Sequence, residues 1–312
     1  YGCNGCGICT LLRVVSDSAP SLSASGCAAS GKELSQFMNL DDIGAIVTKS
    51  ILLEPRSGRA TPRMAETPSG MLNSIGLQGP GIDQFIENDL KWLEKNQVRT
   101  IVSIAGNNAE EFGRVAGKLR KVGDNVVGIE VNISCPNVAN RGLVFACQPE
   151  SAHEVISIVR RTIGGSYPIF AKLSPDVTDI VSIAKAVVDA GASGVSVINT
   201  LLGMVIDTQL MKPALAGVTG GLSGPAIRPV AVRAVWQIRQ AFPDLPIIGM
   251  GGILSGNDAF EFVLAGANAF AIGTANFHDP SSISRIQSEL AQILFERGFS
   301  SLQEAVSFAH RN

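Results

Sequence analysis

The sequence predicts an α/β fold in which eight parallel strands alternate with about eight helices and close into a barrel. Three observations predict it. Short β-branched runs alternate with longer helix-period segments from residue 44 onward, the pattern of a parallel sheet covered by helices. Most of these runs are continuously apolar, as strands buried on both faces must be. The length of 312 residues lies somewhat above the ~250 typical of a closed (β/α)8 TIM barrel, which favours closure over an open doubly wound sheet. No Pro/Ser-rich linker divides the chain. One barrel domain is therefore expected over 20–312, after an N-terminal extension over 1–19.

The elements follow in order. The weakest strand is expected near 20–25 and the next at 45–49. The polar segment 54–78 reads as a functional βα loop, because structureless connections of that length are uncommon elsewhere. A helix follows in which Phe85, Leu90 and Leu93 share a face, with Glu87, Asp89 and Lys91 elsewhere around it. Strands at 101–105, 126–133, 168–173, 195–199, 246–250 and 269–273 then alternate with helices at 110–121, 152–163, 225–241 and 257–265, and with one carrying Ile180, Ile183, Ala184 and Val187 on one face. Two more helices are expected at 281–296 and 302–310. Gly191, Gly266 and Gly298 stand where helical patterns stop.

Composition narrows the function classes. Apolar residues make up 46% and charged residues 17%, with a net charge of −2. That balance excludes disorder. Without a basic run it also argues against nucleic-acid binding. No apolar stretch approaches the ~18 residues that span a bilayer, and no signal peptide is visible; no membrane association and a cytoplasmic location are expected. Six cysteines are too few and too unevenly spread for a disulfide scaffold. The chain begins at Tyr1 rather than methionine, which leaves room for an upstream segment.

The chemistry gathers at strand C-terminal ends, where barrels build their active sites. Lys49-Ser50 ends one strand and Asn132-Ile133-Ser134-Cys135-Pro136-Asn137 another. Lys172 sits near the end of the next, Asn199-Thr200 follows, and Gly251-Gly252 and Gly273-Thr274 end the last two. Strand ends are commonly polar, but six aligned sites exceed coincidence. The two glycine sites suggest phosphate binding, since glycine lets backbone N–H groups approach an anion at a helix start, and barrels often hold phosphate after strands seven and eight. A lysine on a barrel strand is costly unless paired with negative charge. A structural ion pair and an anionic reduced flavin both meet that need.

Longer stretches carry a resemblance. They are Ala24-Ser25-Gly26, Ile46-Val47-Thr48-Lys49, Glu66-Thr67-Pro68, Gly70-Met71-Leu72-Asn73-Ser74-Ile75-Gly76-Leu77-Gln78, Val131 through Asn137, Ile198-Asn199-Thr200-Leu201-Leu202-Gly203-Met204 and Gly220-Gly221-Leu222-Ser223-Gly224-Pro225-Ala226. From about residue 20 to the C-terminus the chain resembles the class 1 dihydroorotate dehydrogenases. The Asn-Thr-Leu-Leu-Gly-Met run looks most like class 1B, whose catalytic subunit works beside a subunit carrying FAD and a [2Fe–2S] cluster. The resemblance implies an FMN-dependent (β/α)8 barrel that oxidises dihydroorotate to orotate in pyrimidine biosynthesis, a homodimer, and such an electron-transfer partner or fused module. It makes Cys135 the base that removes the C5 proton while C6 gives a hydride to flavin N5. It places Lys49, Asn73, Ser74, Ile75, Gly76, Leu77, Asn132, Asn199 and Thr200 on the substrate. It places Ser25, Lys49, Ser50, Ser103, Asn132, Lys172, Ile198, Gly224, Gly251, Gly252, Gly273 and Thr274 on FMN.

The residue types suit these roles. Asparagine offers donor and acceptor to ring amides, Lys49 can neutralise a carboxylate, and a positive neighbour lowers a cysteine's pKa toward the thiolate. Two alternatives remain: an FMN oxidoreductase acting on other dihydropyrimidines, and a non-catalytic flavin electron relay. Lys49 and the 70–78 loop favour an acidic substrate, and a relay would need none of Cys135, Lys49 and Asn199.

Departures are few. Ser103 stands where the family has a flavin-contacting asparagine, and the stretch from Gly26 to Gly31 lacks aromatics. Cys3, Cys6 and Cys9 have a C-x2-C-x2-C spacing seen in bacterial ferredoxins, with Arg13 at the fourth position. They are the tail of a fused iron–sulfur module or incidental thiols. Cys27 falls in the expected flavin loop and is a poor fourth ligand, and Cys147 reads as packing. His153, His278 and His310 lack metal-ligand spacing, so no metal site is expected.

Overall fold

The structure is a computed structural model that describes residues 19–134 and 148–311. Strands run in chain order as β1 (Ser21–Ser23), β2 (Ile46–Val47), β3 (Met64–Thr67), β4 (Gly70–Asn73), β5 (Thr100–Ile104), β6 (Val126–Asn132) and β7 (Ile169–Leu173). There follow β8 (Gly194–Val197), β9 (Leu201–Gly203), β10 (Ile206–Asp207), β11 (Lys212–Pro213), β12 (Gly220–Ser223), β13 (Ile247–Met250) and β14 (Ala269–Ile272). Eight of them, in the order β1-β14-β13-β8-β7-β6-β5-β2, form one parallel sheet. It closes on itself. Leu22 bridges Ala45 in parallel, and Gly44 N donates to Ser21 O at 2.7 Å. The chain therefore folds as the (β/α)8 barrel expected from its alternation.

The helices are α1 (Ile82–Phe85), which runs through a π turn at Ile86–Leu90 into α2 (Lys91–Lys95), then α3 (Ala109–Lys118), α4 (Pro149–Ile163), α5 (Ile180–Asp189) and α6 (Arg228–Ala241). They continue with α7 (Gly256–Ala265), α8 (Ala275–His278), α9 (Ser282–Glu296) and α10 (Leu302–Ala305). Local chemistry sets their ends. Asn108 caps α3 by accepting from Glu111 N, and Asp179 caps α5 by accepting from Val181 N and Ser182 N, satisfying donors that helix starts leave orphaned. Ser255 and Asp258 form a capping box on α7. Gly191, Gly266 and Gly298, at φ +98°, +116° and +79°, follow α5, α7 and α9 as expected.

Strand alternation sorts the side chains into two cores. Outward residues such as Ile104, Ile129, Val131, Ala171 and Leu173 pack under helix residues including Phe112, Val155, Val159 and Ile183. Inward residues Leu22, Val47, Ile101, Phe170, Ile248, Met250 and Ala271 fill the barrel. The inner plug is apolar, so the polar residues at the strand C-terminal ends sit on a dry floor.

One device repeats at the opposite end. Arg160 Nε donates to Gly191 O at 2.9 Å, and its Nη2 reaches Ser193 Oγ, which accepts from Ile169 N. Arg239 Nε donates to Gly266 O at 3.0 Å, and its Nη2 reaches Asn268 Oδ1, which accepts from Ile247 N. Each arginine thus ties the end of one helix to the turn after the next and to the start of a strand. Burial holds both guanidinium groups below their ordinary pKa.

Several expectations need adjustment. The segment 54–78 is not a plain loop. It contains the β3–β4 hairpin, which joins β12 and β9 in a four-stranded antiparallel sheet. The helix expected at 225–241 begins as a 3-10 turn at Pro225–Ile227. The one expected at 302–310 breaks at Ser307, which has φ +61°. The expected N-terminal extension, with Cys3, Cys6, Cys9 and Arg13, lies outside the described residues, as do Cys135 and Cys147. Among the described residues no helix is long and apolar enough to cross a membrane.

Candidate functional site

The C-terminal ends of the barrel strands and the β3-β4-β12-β9 sheet enclose a cavity of about 380 Å³, within the usual range for small-molecule sites. Its walls bring together most of the residues singled out from the sequence. Ser25, Lys49, Ser50, Asn73, Ile75, Gly76, Leu77, Asn132, Lys172, Ile198, Asn199, Thr200, Gly224, Gly251, Gly252, Gly273 and Thr274 all line it. Cys135 follows Ser134, the last described residue at the end of β6, and itself lies outside the described residues. Two other expected contacts do not line the cavity. Ser74 is buried behind the Asn73–Leu77 wall, where its Oγ accepts from Arg59 Nη1 at 3.2 Å. Ser103 is buried below the floor, bonded to Ser50.

Hydrogen bonds organise the floor into a chain with one direction. Glu130, 2% exposed, faces inward from β6 beside Lys172, with Lys172 Nζ 3.6 Å from Glu130 Oε1. Ser103 Oγ donates to Glu130 Oε1 at 3.1 Å. A hydroxyl has one proton, so Ser103 can only accept from Ser50, 3.0 Å away. Ser50 in turn accepts from Asn132 Nδ2 at 2.8 Å and from Ser25, 3.3 Å away. On its other side Asn132 Oδ1 accepts from Ser134 Oγ at 3.0 Å, and Ser134 accepts from Asn199 Nδ2 at 2.7 Å. Asn199 Oδ1 accepts from Thr200 N at 2.8 Å. Every proton from Thr200 through Asn199 to Ser103 points toward the Glu130 carboxylate, which fixes the amide orientation of Asn132 and Asn199.

The opposite end is built of backbone. Gly224, Gly251 and Gly252 have φ of +93°, +129° and +77°. A Cβ on Gly252 would lie 2.7 Å from Gly224 O, and one on Gly251 2.9 Å from Ala231 Cβ. Thr274 Oγ1 donates to Ser223 Oγ at 2.8 Å beside them. Neither Gly251 nor Gly252 has room for a side chain, so this wall of the cavity is a cradle of bare backbone, suited to a phosphate held by backbone N–H groups.

One polar group points to an occupant, and a second beside it is unpartnered. Lys172 Nζ donates no hydrogen bond among the described residues, and Ser196 Oγ, on the neighbouring strand in register with Lys172, is buried without a partner. Native structures seldom leave such groups unsatisfied. Of the two only Lys172 lines the cavity, and a phosphate-bearing ring that gains negative charge on reduction, seated between Lys172 and the glycine cradle, would meet its need, as a flavin mononucleotide does. The Cys27 thiol lines the same cavity. Burial pushes it up from its ordinary pKa, against the opposing pull of Lys172 and Lys49. Among the expected non-ligands, His153 and His278 are exposed, and His310 stacks on Trp236.

Sequence reasoning missed Glu130, Ser134, Ser223 and the cavity-lining Met71 and Phe277. The signal for Glu130 was present: it stands two residues before Asn132 on one strand, so both face the same way. Ser134 stood in the polar strand-end cluster 132–137, and Met71 and Ser223 in stretches that carry the resemblance, without a role being assigned to them; Phe277 carried no distinguishing pattern.

Comparison with known proteins gives one consistent result. Residues 15–294 match the family model described as dihydroorotate dehydrogenase. The chain is 51% identical over 287 residues to the dihydroorotate dehydrogenase B (NAD(+)) catalytic subunit of Geotalea daltonii, covering 92% of this chain and 93% of that one. It is 50% identical to the same subunit of Geotalea uraniireducens over the same shares. It is 49% identical to that of Desulforamulus reducens over 93% of this chain and 94% of the relative.

Proposed function

The chain belongs to the dihydroorotate dehydrogenase family, and from that premise we propose that it is an oxidoreductase that converts dihydroorotate to orotate in pyrimidine biosynthesis, as an FMN-dependent catalytic subunit. The observation that carries the reading is the convergence of Lys49, Asn73, Asn132 and Asn199 with a glycine cradle in one cavity. The cradle and Lys172 would hold FMN, and the chemistry that FMN supplies when bound is acceptance of a hydride from C6 of the substrate.

The chain's own residues do the rest. Lys49 binds the substrate carboxylate. Asn73, Asn132, Asn199 and Thr200 read the ring amides, and the directed hydrogen-bond chain keeps the Asn132 and Asn199 amides from flipping. Backbone groups of Ile75, Gly76 and Leu77 close over the ring and exclude water. Cys135 removes the C5 proton as the thiolate, so bond breaking at C5 and C6 leaves the C5–C6 double bond of orotate.

The relatives' names speak of a catalytic subunit and of NAD(+). We take this chain to pass its electrons toward NAD through a partner that carries FAD and a [2Fe–2S] centre, and to act as a homodimer in the cytoplasm. The readings as another dihydropyrimidine oxidoreductase or as a non-catalytic relay gain nothing from those relatives. Cys135→Ala tests the assignment. The variant is expected to retain FMN while its reduction by dihydroorotate slows by about 10²–10⁴-fold, the usual cost of a lost general base. A reductive rate like that of the wild type would refute it.

A further inference from the structure

Glu130 has no role in the chemistry above, yet it lies at the convergence of the floor's hydrogen bonds. It is 2% exposed and Lys172 is 4% exposed, and both sit on the apolar plug of Ile101, Phe170, Ile248 and Ala271. Burying an ion pair on such a surface is seldom favourable for stability alone, and replacement by apolar residues is often neutral or better. The geometry says what the pair does. At 3.6 Å the contact is an ion pair but too long for a hydrogen bond. Glu130 therefore attracts Lys172 and offsets its charge without taking its donors, which stay available on the cavity side. The carboxylate accepts instead from Ser103, the last link of the chain that orients Asn132 and Asn199.

We propose that Glu130 is a positioning residue for the bound flavin: acting through Lys172, it holds the ammonium at the cavity floor and offsets part of its charge, so that the flavin is harder to reduce than an unopposed lysine would make it. The proposal rests on the FMN reading above. Its sign is determined by the chemistry. Reduction adds negative charge to the flavin, an unopposed Lys172 favours that charge, and Glu130 weakens the preference. Lumen charge, counted over Lys49, Lys172 and Glu130, is +1 in the wild type and +2 without the carboxylate.

The test is Glu130→Gln in the full chain reconstituted with FMN. Glutamine keeps the size and one acceptor oxygen for Ser103, removes the charge and puts an NH2 in place of the second oxygen. Two readouts report the flavin's electrostatic surroundings apart from turnover: its two-electron reduction potential against a reference dye, and its affinity for sulfite, which adds to oxidised flavin more tightly as the surroundings become more positive. A charge in direct neighbourhood typically moves an equilibrium by about one to three decades, and because Glu130 acts through Lys172 the low end of that range applies. Sulfite is therefore expected to bind roughly tenfold more tightly or better. A tenfold change is ~30 mV for a two-electron couple, and the potential is expected to rise by at least that. Glu130→Asp, which keeps the charge but draws it back from Lys172, is expected to shift both readouts the same way by less, and it carries the test should the glutamine variant fail to fold. Unchanged or lowered potential and sulfite affinity in a variant that holds FMN overturn the proposal alone. A wild-type chain that takes up no flavin overturns the FMN reading, and this proposal with it.

Discussion

Gly252→Ala probes the cofactor cradle with one methyl group. Gly252 has φ +77°, a conformation that costs alanine about 1–2 kcal/mol relative to glycine. The added Cβ would lie 2.7 Å from Gly224 O and 3.0 Å from Arg228 Cβ. Neither neighbour yields easily, since Gly224 O is backbone and Arg228 is anchored by Asp258 and, at 3.2 Å, by Glu261. Overpacking of this kind adds about 1 kcal/mol or more. Because neither neighbour yields, the strain is relieved only by moving the Gly251–Gly252 turn out of the geometry in which its backbone would hold a phosphate. The cost therefore falls on binding. A loss of about 2–3 kcal/mol raises the Kd for FMN about 30- to 150-fold. Flavin fluorescence quenching by the apoprotein measures this, with riboflavin as the control because it lacks the phosphate. FMN affinity within threefold of wild type, or an equal loss for riboflavin, would refute the cradle as the phosphate site.

The remaining predictions concern stability. Arg239→Met strips donors from Gly266 O, Phe242 O and Asn268 Oδ1 and is expected to lower unfolding free energy by about 3 kcal/mol, read as a fall in the urea midpoint; a loss under about 1 kcal/mol would contradict the locking role. The Asp279 carboxyl is held below its ordinary pKa by the Ser281 hydroxyl and by Arg285. A carboxylate depressed in the folded state contributes stability above its unfolded pKa and loses it as the pH falls through the folded value. Asp279→Asn is thus expected to cost up to about 1 kcal/mol at pH 7, after screening at this largely exposed site. The gap should close as the pH drops below about 4. A gap that widens in acid would show the sign to be wrong.

The barrel was legible because its strands announce themselves. Runs such as Val126–Asn132 and Ile169–Leu173 are buried along almost their whole length, and burial on both faces leaves a continuous apolar signature. Cavity-lining residues were legible for a related reason: a polar side chain at the end of an apolar run marks the rim of a parallel barrel. The lid was not. Met64–Thr67 is half exposed and polar in part, so the β3–β4 hairpin looks like loop until β12 and β9 supply its partners. Glu130 went unread although its place two residues before Asn132 on a seven-residue strand put both on one face, and its contacts with Lys172 and Ser103 reveal why it is there. Ser103 shows the reverse case. Its position suggested a cofactor contact, and its short side chain lies off the cavity wall and reaches Ser50 and Glu130.

Anaerobic titration of the purified, FMN-loaded chain with dihydroorotate tests the proposed reaction most directly. The expected result is complete bleaching of the oxidised flavin absorbance at about one equivalent of substrate, the stoichiometry of a flavin that takes the two electrons itself, with orotate formed in equal amount and no other subunit added. A flavin that dithionite bleaches but dihydroorotate leaves yellow would contradict it.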